Sequence, residues 1–269
     1  MTAALEDRPA ATSPSWRIVA GQECRDLWIS GRGPGLLFAF SVLLSVITYL
    51  AATNQVLNFL EQREAVNLTL QVAVTVGVLV VLLVSADAVS GERERGTLET
   101  LLLSPASRRG ILLGKLTAAM TLWLGAFIVS IPYIWVLGRG VSLVGKALLL
   151  GLLIGTVLAV TLAAFGLLVS AMSNSNKVSL SVSFLVLLAL FVPTQLPPMP
   201  TSWIGNVLTR VNPLGSATTY LSAVLVKGHD WTRDLTYFIS PLVALVLAGG
   251  LLLTAGPRLV RLTGGVNGS

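Results

Sequence analysis

The sequence predicts an all-α membrane protein. Three observations carry this. Only 11% of its 269 residues are charged while 54% are hydrophobic, the apolar residues fall in long blocks, and 72–84 is almost unbroken aliphatic chain. A soluble domain carries roughly 25% charged residues, so water is not the main solvent of this chain. A spanning helix needs about 20 mostly apolar residues, because about 30 Å of hydrocarbon is crossed at 1.5 Å per residue. A barrel strand would alternate between lumen and lipid faces, a pattern the aliphatic run excludes.

Residues 1–12 read as a disordered tail and 13–32 as an amphipathic helix. Trp16, Val19, Ala20, Cys24, Leu27 and Trp28 recur at steps of three and four and form one apolar stripe, with Arg17, Gln22, Arg25 and Asp26 opposite. Ser13 and Pro14 supply a helix start. Two tryptophans beside a membrane boundary suit the headgroup region, so the helix is expected to lie in the interface. The alternative is a short soluble helix. A cleaved leader is not expected, because the stretch before the first apolar block carries Glu6, Asp7, Glu23 and Asp26.

Six spans follow within residues 33–258, at 35–52, 67–90, 112–137, 143–172, 178–196 and 237–256, and 259–269 form a C-terminal tail. On the first span Ser41, Ser45 and Thr48 share a face, and on the second Asn67, Gln71 and Thr75 do so. Such stripes either line a pathway or hydrogen-bond between helices. Gly151 with Gly155 in the fourth span, and Gly249 with Gly250 in the sixth, read as packing marks. Asp87 is the one acidic residue inside a span, placed to join Arg93 or Arg95 at its end. Between the fifth and sixth spans, 197–235 hold Trp203, Asn212, Pro213 and Tyr220 among residues too apolar for a solvated loop.

Lys and Arg concentrate in cytoplasmic flanks. Placing both termini in the cytoplasm puts twelve of the 18 Lys and Arg inside and six outside. The net charge of +6 lies beside apolar blocks and forms no basic face for nucleic acid. With one cysteine, Cys24, and one histidine, His229, the chain offers neither an internal disulfide nor a metal site.

Between the second and third spans lies a charged interruption, 90–109. Four charges in a row at mid-bilayer would cost about 3 kcal/mol each, so Glu92 to Arg95 belong at or outside the interface. Gly96 permits a break, and 97–103 can form a short helix with Leu98, Leu101 and Leu102 on one side. Ser104 and Pro105 suit the cap and first turn of the next helix. Composition alone would explain the segment as a topology signal. Its order, however, resembles the signature of ABC-2 transporter permeases: Glu-Arg-Glu, Gly-Thr-Leu-Glu, paired leucines, Ser-Pro, an arginine, then Ile-Leu and Gly-Lys.

The resemblance implies the membrane subunit of an exporter in the cytoplasmic membrane, built from two such chains, identical or related, and two ATPase subunits. It implies that the short helix is a coupling helix docking on the ATPase through Glu92, Arg93, Glu94, Arg95, Gly96, Thr97, Leu98, Glu99, Leu101 and Leu102. It also implies that helices in 197–235 re-enter the outer leaflet. No cofactor is expected on this chain; ATP and Mg belong to the partner ATPase. Consistent with that, 110–116 fall short of a P-loop, lacking one residue between the glycines and the final hydroxyl. No nucleophile elbow or zinc-protease pair occurs, so catalysis by this chain is not expected. Without a strong intramembrane charge, a hydrophobic or amphipathic substrate is favoured over a small cation. A membrane scaffold or immunity protein, and an intramembrane enzyme, are the rival classes.

Overall fold

The computed structural model describes residues 15–53, 59–103, 106–140, 142–195 and 210–260. Every regular element among them is helical. In chain order they are α1 (Ser15–Ile29), α2 (Arg32–Thr53), α3 (Phe59–Asp87), α4 (Ser90–Glu94), α5 (Leu98–Leu103), α6 (Arg108–Leu137), α7 (Val144–Met172), α8 (Asn176–Gln195), α9 (Pro213–Leu225), a 3-10 turn (Leu235–Phe238), α10 (Ile239–Thr254) and α11 (Gly256–Leu259). Six helices are long and apolar enough to cross a bilayer, and they coincide with the six predicted blocks to within a few residues.

The bundle is built around α3 and α7. Their facing residues pack closely because small side chains meet there. A Cβ on Gly166 would sit 2.9 Å from the carbonyl oxygen of Leu82, and one on Gly151 only 2.5 Å from Leu70 Cδ1. Trp123 of α6 fills the remaining niche, fully buried, with its indole Nε1 donating to Thr156 Oγ1 at 3.0 Å. The Gly151 and Gly155 pair is therefore a packing device. Gly249 and Gly250 are not, within this chain: a Cβ on either meets nothing within 4 Å.

The outer spans show the opposite character. α2 buries one narrow edge, Gly33, Leu37, Phe40 and Leu44, at helical spacing. Its other faces expose Phe38, Val42, Val46 and Tyr49, and α10 likewise exposes Val246 and Leu247. Apolar surface this extensive belongs against lipid or another protein.

α1 buries the predicted stripe. Val19 and Ala20 are buried, Trp16, Cys24, Leu27 and Trp28 are half-buried, and Arg17, Gln22, Arg25 and Asp26 face outward. Its partner is α6. Gly114 lets the two backbones meet, since a Cβ there would lie 2.7 Å from Val19 Cγ1, and Trp28 Nε1 donates to Thr121 Oγ1 at 3.0 Å. The helix of the third span is capped three residues beyond the expected Ser104. Its N-cap is Ser107, whose Oγ accepts from Gly110 N at 3.0 Å, while Ser104 and Pro105 lie outside the described residues. The glycine-lysine near-miss at 110–116 is part of this helix.

Candidate functional site

α3 ends at Asp87, and the chain turns through Ala88 and Val89 into α4. The turn is held from α7: Ser170 Oγ accepts from Val89 N at 3.0 Å and Ser90 N at 2.8 Å. Ser179 of α8 donates to Ala86 O at 2.7 Å, supporting the same turn from the other side. Gly91 leaves room for the Asp87 carboxylate, since a Cβ there would fall 2.3 Å from Asp87 Oδ1 and displace it.

The four charges of α4 and its cap go to four different places. Glu92 Oε1 accepts from Lys115 Nζ of α6 at 2.6 Å, and the same ammonium donates to Glu23 Oε1 of α1 at 2.6 Å. The Arg93 guanidinium donates to the carbonyls of Ala171, at 3.2 Å, and Ser173, capping the C-terminal end of α7. Glu94 Oε1 accepts from Asn176 N at 2.7 Å and Ser175 Oγ at 2.9 Å, capping the N-terminal end of α8. Arg95 lies 3.7 Å from Asp87 Oδ2, which also faces Arg32 of α2 at 3.4 Å and, through Oδ1, accepts from Asn176 Nδ2 at 2.6 Å. One turn of charged helix thus ties α1, α2, α3, α6, α7 and α8 together at one end of the bundle.

Gly96 closes the turn. Its φ of +71° is left-handed, Gly96 N donates to Arg93 O at 3.2 Å, and Thr97 N donates to Glu92 O at 3.0 Å. This is a Schellman ending, which favours glycine at this position because a Cβ is strained there. α5 then runs with Leu98 buried and Leu102 packed against a cluster containing Val89, Leu112, Leu167 and Leu252. Leu98 and Leu102 face the bundle, while Leu101 on the same side is half-buried and borders an opening toward α1. Glu99, Thr100 and Leu103 face outward, Leu103 being 83% exposed. Of the ten residues singled out from the sequence, then, Glu94, Arg95, Gly96, Thr97 and Glu99 are exposed. Glu92, Arg93 and Glu94 are committed to bonds within the chain.

Between α1 and the α4–α5 segment opens a cleft of about 750 Å³, lined by Glu23, Asp26, Asp87 and Glu92 with Arg32 and Arg95. Lys115 stands behind it, its side chain only 1% exposed. Lys115 and Glu23 are the site residues missed in the sequence. Their signal was present: each is a charge set in an otherwise apolar stripe. Among the described residues no three His, Cys, Asp or Glu side chains converge as metal ligands.

The polar stripes serve helix contacts. Ser41 Oγ and Ser45 Oγ lie 2.7 Å and 2.9 Å from Tyr133 Oη of α6. Asn67 and Gln71 converge on Ser222 Oγ of α9 at 3.2 Å and 3.0 Å, and Thr75 is buried. Thr48 Oγ1 differs: it is buried without a partner, beside a groove of about 360 Å³ lined by Ser45, Tyr49, Pro132 and Tyr133.

At the far end Asn212 caps α9, its Oδ1 accepting from Leu214 N at 2.9 Å and Gly215 N at 3.2 Å, with Pro213 as the first helical residue. α9 buries nine of its 13 residues against α3, α7, α8 and α10, so this stretch is not a solvated loop. Tyr220 stacks edge-on against Phe238 and donates from Oη to Trp231 O at 2.8 Å. Burial, with the nearby Asp234 carboxylate, holds its phenol above the ordinary tyrosine range, so it remains a donor at neutral pH. Trp203 lies outside the described residues.

No curated protein matches the chain in sequence. A family model described as ABC-2 family transporter protein matches residues 18–257, from within α1 to the start of α11 and including the whole charged segment. With six spanning helices arranged around that segment and the family match covering most of its length, the chain belongs to the ABC-2 transporter family, as a multi-pass membrane component of an ABC transporter.

Proposed function

We propose that this chain is the permease subunit of an exporter in the cytoplasmic membrane, with both termini inside, working as two permease chains, identical or related, with two ATPase subunits. ATP and Mg reside in the ATPase, which docks on the exposed rim of the charged segment: Arg95, Thr97, Glu99, Thr100 and Leu103. The observation that carries this reading is the division of labour within the segment. Glu92, Arg93 and Glu94 reach α6, α7 and α8, and α1 through Lys115, while the outer rim presents one leucine among polar and charged groups, a composition suited to a specific protein contact.

A force applied at that rim reaches α7 and α8 through Arg93 and Glu94, and α3 directly. Rotation of these helices relative to α2 and α10 is the proposed switch between inward and outward access. α9 is the external re-entrant element, its polar caps near the outer surface and its apolar residues in the outer leaflet. The substrate is hydrophobic or amphipathic and passes along the membrane-facing groove beside Thr48, where a hydroxyl stands unpaired against apolar walls.

Docking is tested by the double variant Glu99→Arg with Leu103→Glu, both on side chains that face away from the bundle. Removing an interface contact costs about 1 to 2 kcal/mol, so recovery of the ATPase with the purified chain should fall about tenfold or more while membrane insertion is unchanged. Undiminished co-purification would refute the assigned rim.

A further inference from the structure

Lys115 is a buried cation that docking does not use. Its Nζ lies 2.6 Å from Glu23 Oε1 and 2.6 Å from Glu92 Oε1, and its side chain is 1% exposed. One charge is thereby withdrawn from water and two more are half-buried, where a well-packed apolar cluster would be at least as stable. Ionic clusters of this kind are best attested as devices that fix register between elements. The elements fixed here are α1, α4 and α6.

The attachments are unequal. α1 is seated along α6, with Val19 against Gly114, Trp28 against Gly125 and bonded to Thr121, and Glu23 paired with Lys115. Among the described residues its polar tie to α4 is the Lys115 ammonium. Glu92 engages that ammonium through Oε1, and its Oε2 has no partner. The cleft between α1 and α4–α5 leaves space beside the tie. Displacement of α4 therefore pulls on Lys115, and through it on Glu23.

Resting on the docking role proposed above, we infer that Lys115 is a positioning residue that gears α1 to the charged segment, making α1 a moving part of the drive. The reading of α1 as a passive anchor on α6 predicts the opposite, that its attachment ignores the nucleotide state.

The test uses the complex of chain and ATPase purified from native membranes, and follows hydrogen exchange of α1 without nucleotide and after trapping with ATP and vanadate. Exchange in α1 should change by about tenfold between the two states, the factor that 1.4 kcal/mol of local stability produces. The single variant Lys115→Met leaves two half-buried carboxylates facing each other without their cation and is expected to assemble poorly. The neutral triple Glu23→Gln, Glu92→Gln, Lys115→Met removes every charge of the cluster, so it should assemble, retain the ATPase and lose the nucleotide-dependent change in α1. If α1 of the wild-type complex ignores nucleotide, or the triple variant keeps the full change, the gearing is disproved. Failure of the wild-type chain to carry an ATPase at all would instead overturn the docking role itself.

Discussion

Trp123 occupies a niche that exists because two neighbours lack a side chain. A Cβ on Gly155 would lie 2.3 Å from Trp123 Cη2, and one on Gly77 3.0 Å from Cζ3. The indole is fully enclosed and its Nε1 is engaged by Thr156, so it cannot swing away without losing that bond. Gly155→Ala should therefore destabilise the chain by about 1 to 3 kcal/mol, the usual cost of overpacking, seen as a lower unfolding midpoint in detergent. Tyr220 makes a second residue-scale case. The bond to Trp231 O is present at neutral pH, as for any protonated phenol, and burial moves its loss to a pH above the ordinary tyrosine range. Tyr220→Phe should remove about 1 kcal/mol, read as faster hydrogen exchange in 226–234, and should abolish any alkaline loosening of that turn.

At the scale of the element, α4 acts as a cap supplied to two other helices. A helix end leaves backbone groups unpaired, and here Arg93 satisfies carbonyls of α7 while Glu94 satisfies an amide of α8. Replacing Glu94 by Gln weakens a charge-assisted bond without changing shape, and hydrogen exchange at 175–178 should rise with α1 unaffected. This element also marks where reading the sequence stops. Six spans follow from block length, the stripe of α1 from its spacing, and the break at Gly96 from the residue itself. The destinations of Glu92, Arg93 and Glu94 do not follow, because a run of alternating charges has the same local pattern whether it faces a partner or its own bundle. Lys115 and Glu23 were individually conspicuous, yet only the packing of α1 on α6, permitted by Gly114, brings them together. Likewise the apolar side of α5 reads equally well as a docking ridge or as core, and only the fold shows Leu98 and Leu102 packed in a cluster of the bundle.

For the whole molecule the bundle is asymmetric along its axis. One end carries Glu23, Arg32, Asp87, the α4 charges, Arg108 and Lys115; the other carries Gln62 bonded to the carbonyls of Leu137 and Arg139, the α9 cap, and the His229–Asp234 pair at 2.7 Å. Lys and Arg in short flanks orient a chain with the richer side inward, so the end bearing α4 should face the cytoplasm, where ATP is. Arg109 at the start of α6 and Lys227 after α9 are exposed and lie at opposite ends, which makes them suitable reporters. In a Cys24→Ser background, Arg109→Cys should react with a membrane-impermeant maleimide only after the cells are opened, and Lys227→Cys in intact cells. The reverse pattern would put the charged rim outside, away from ATP. No ATPase could then drive the bundle from that rim, and the proposed docking, the gearing through Lys115 and the direction of export would fall together.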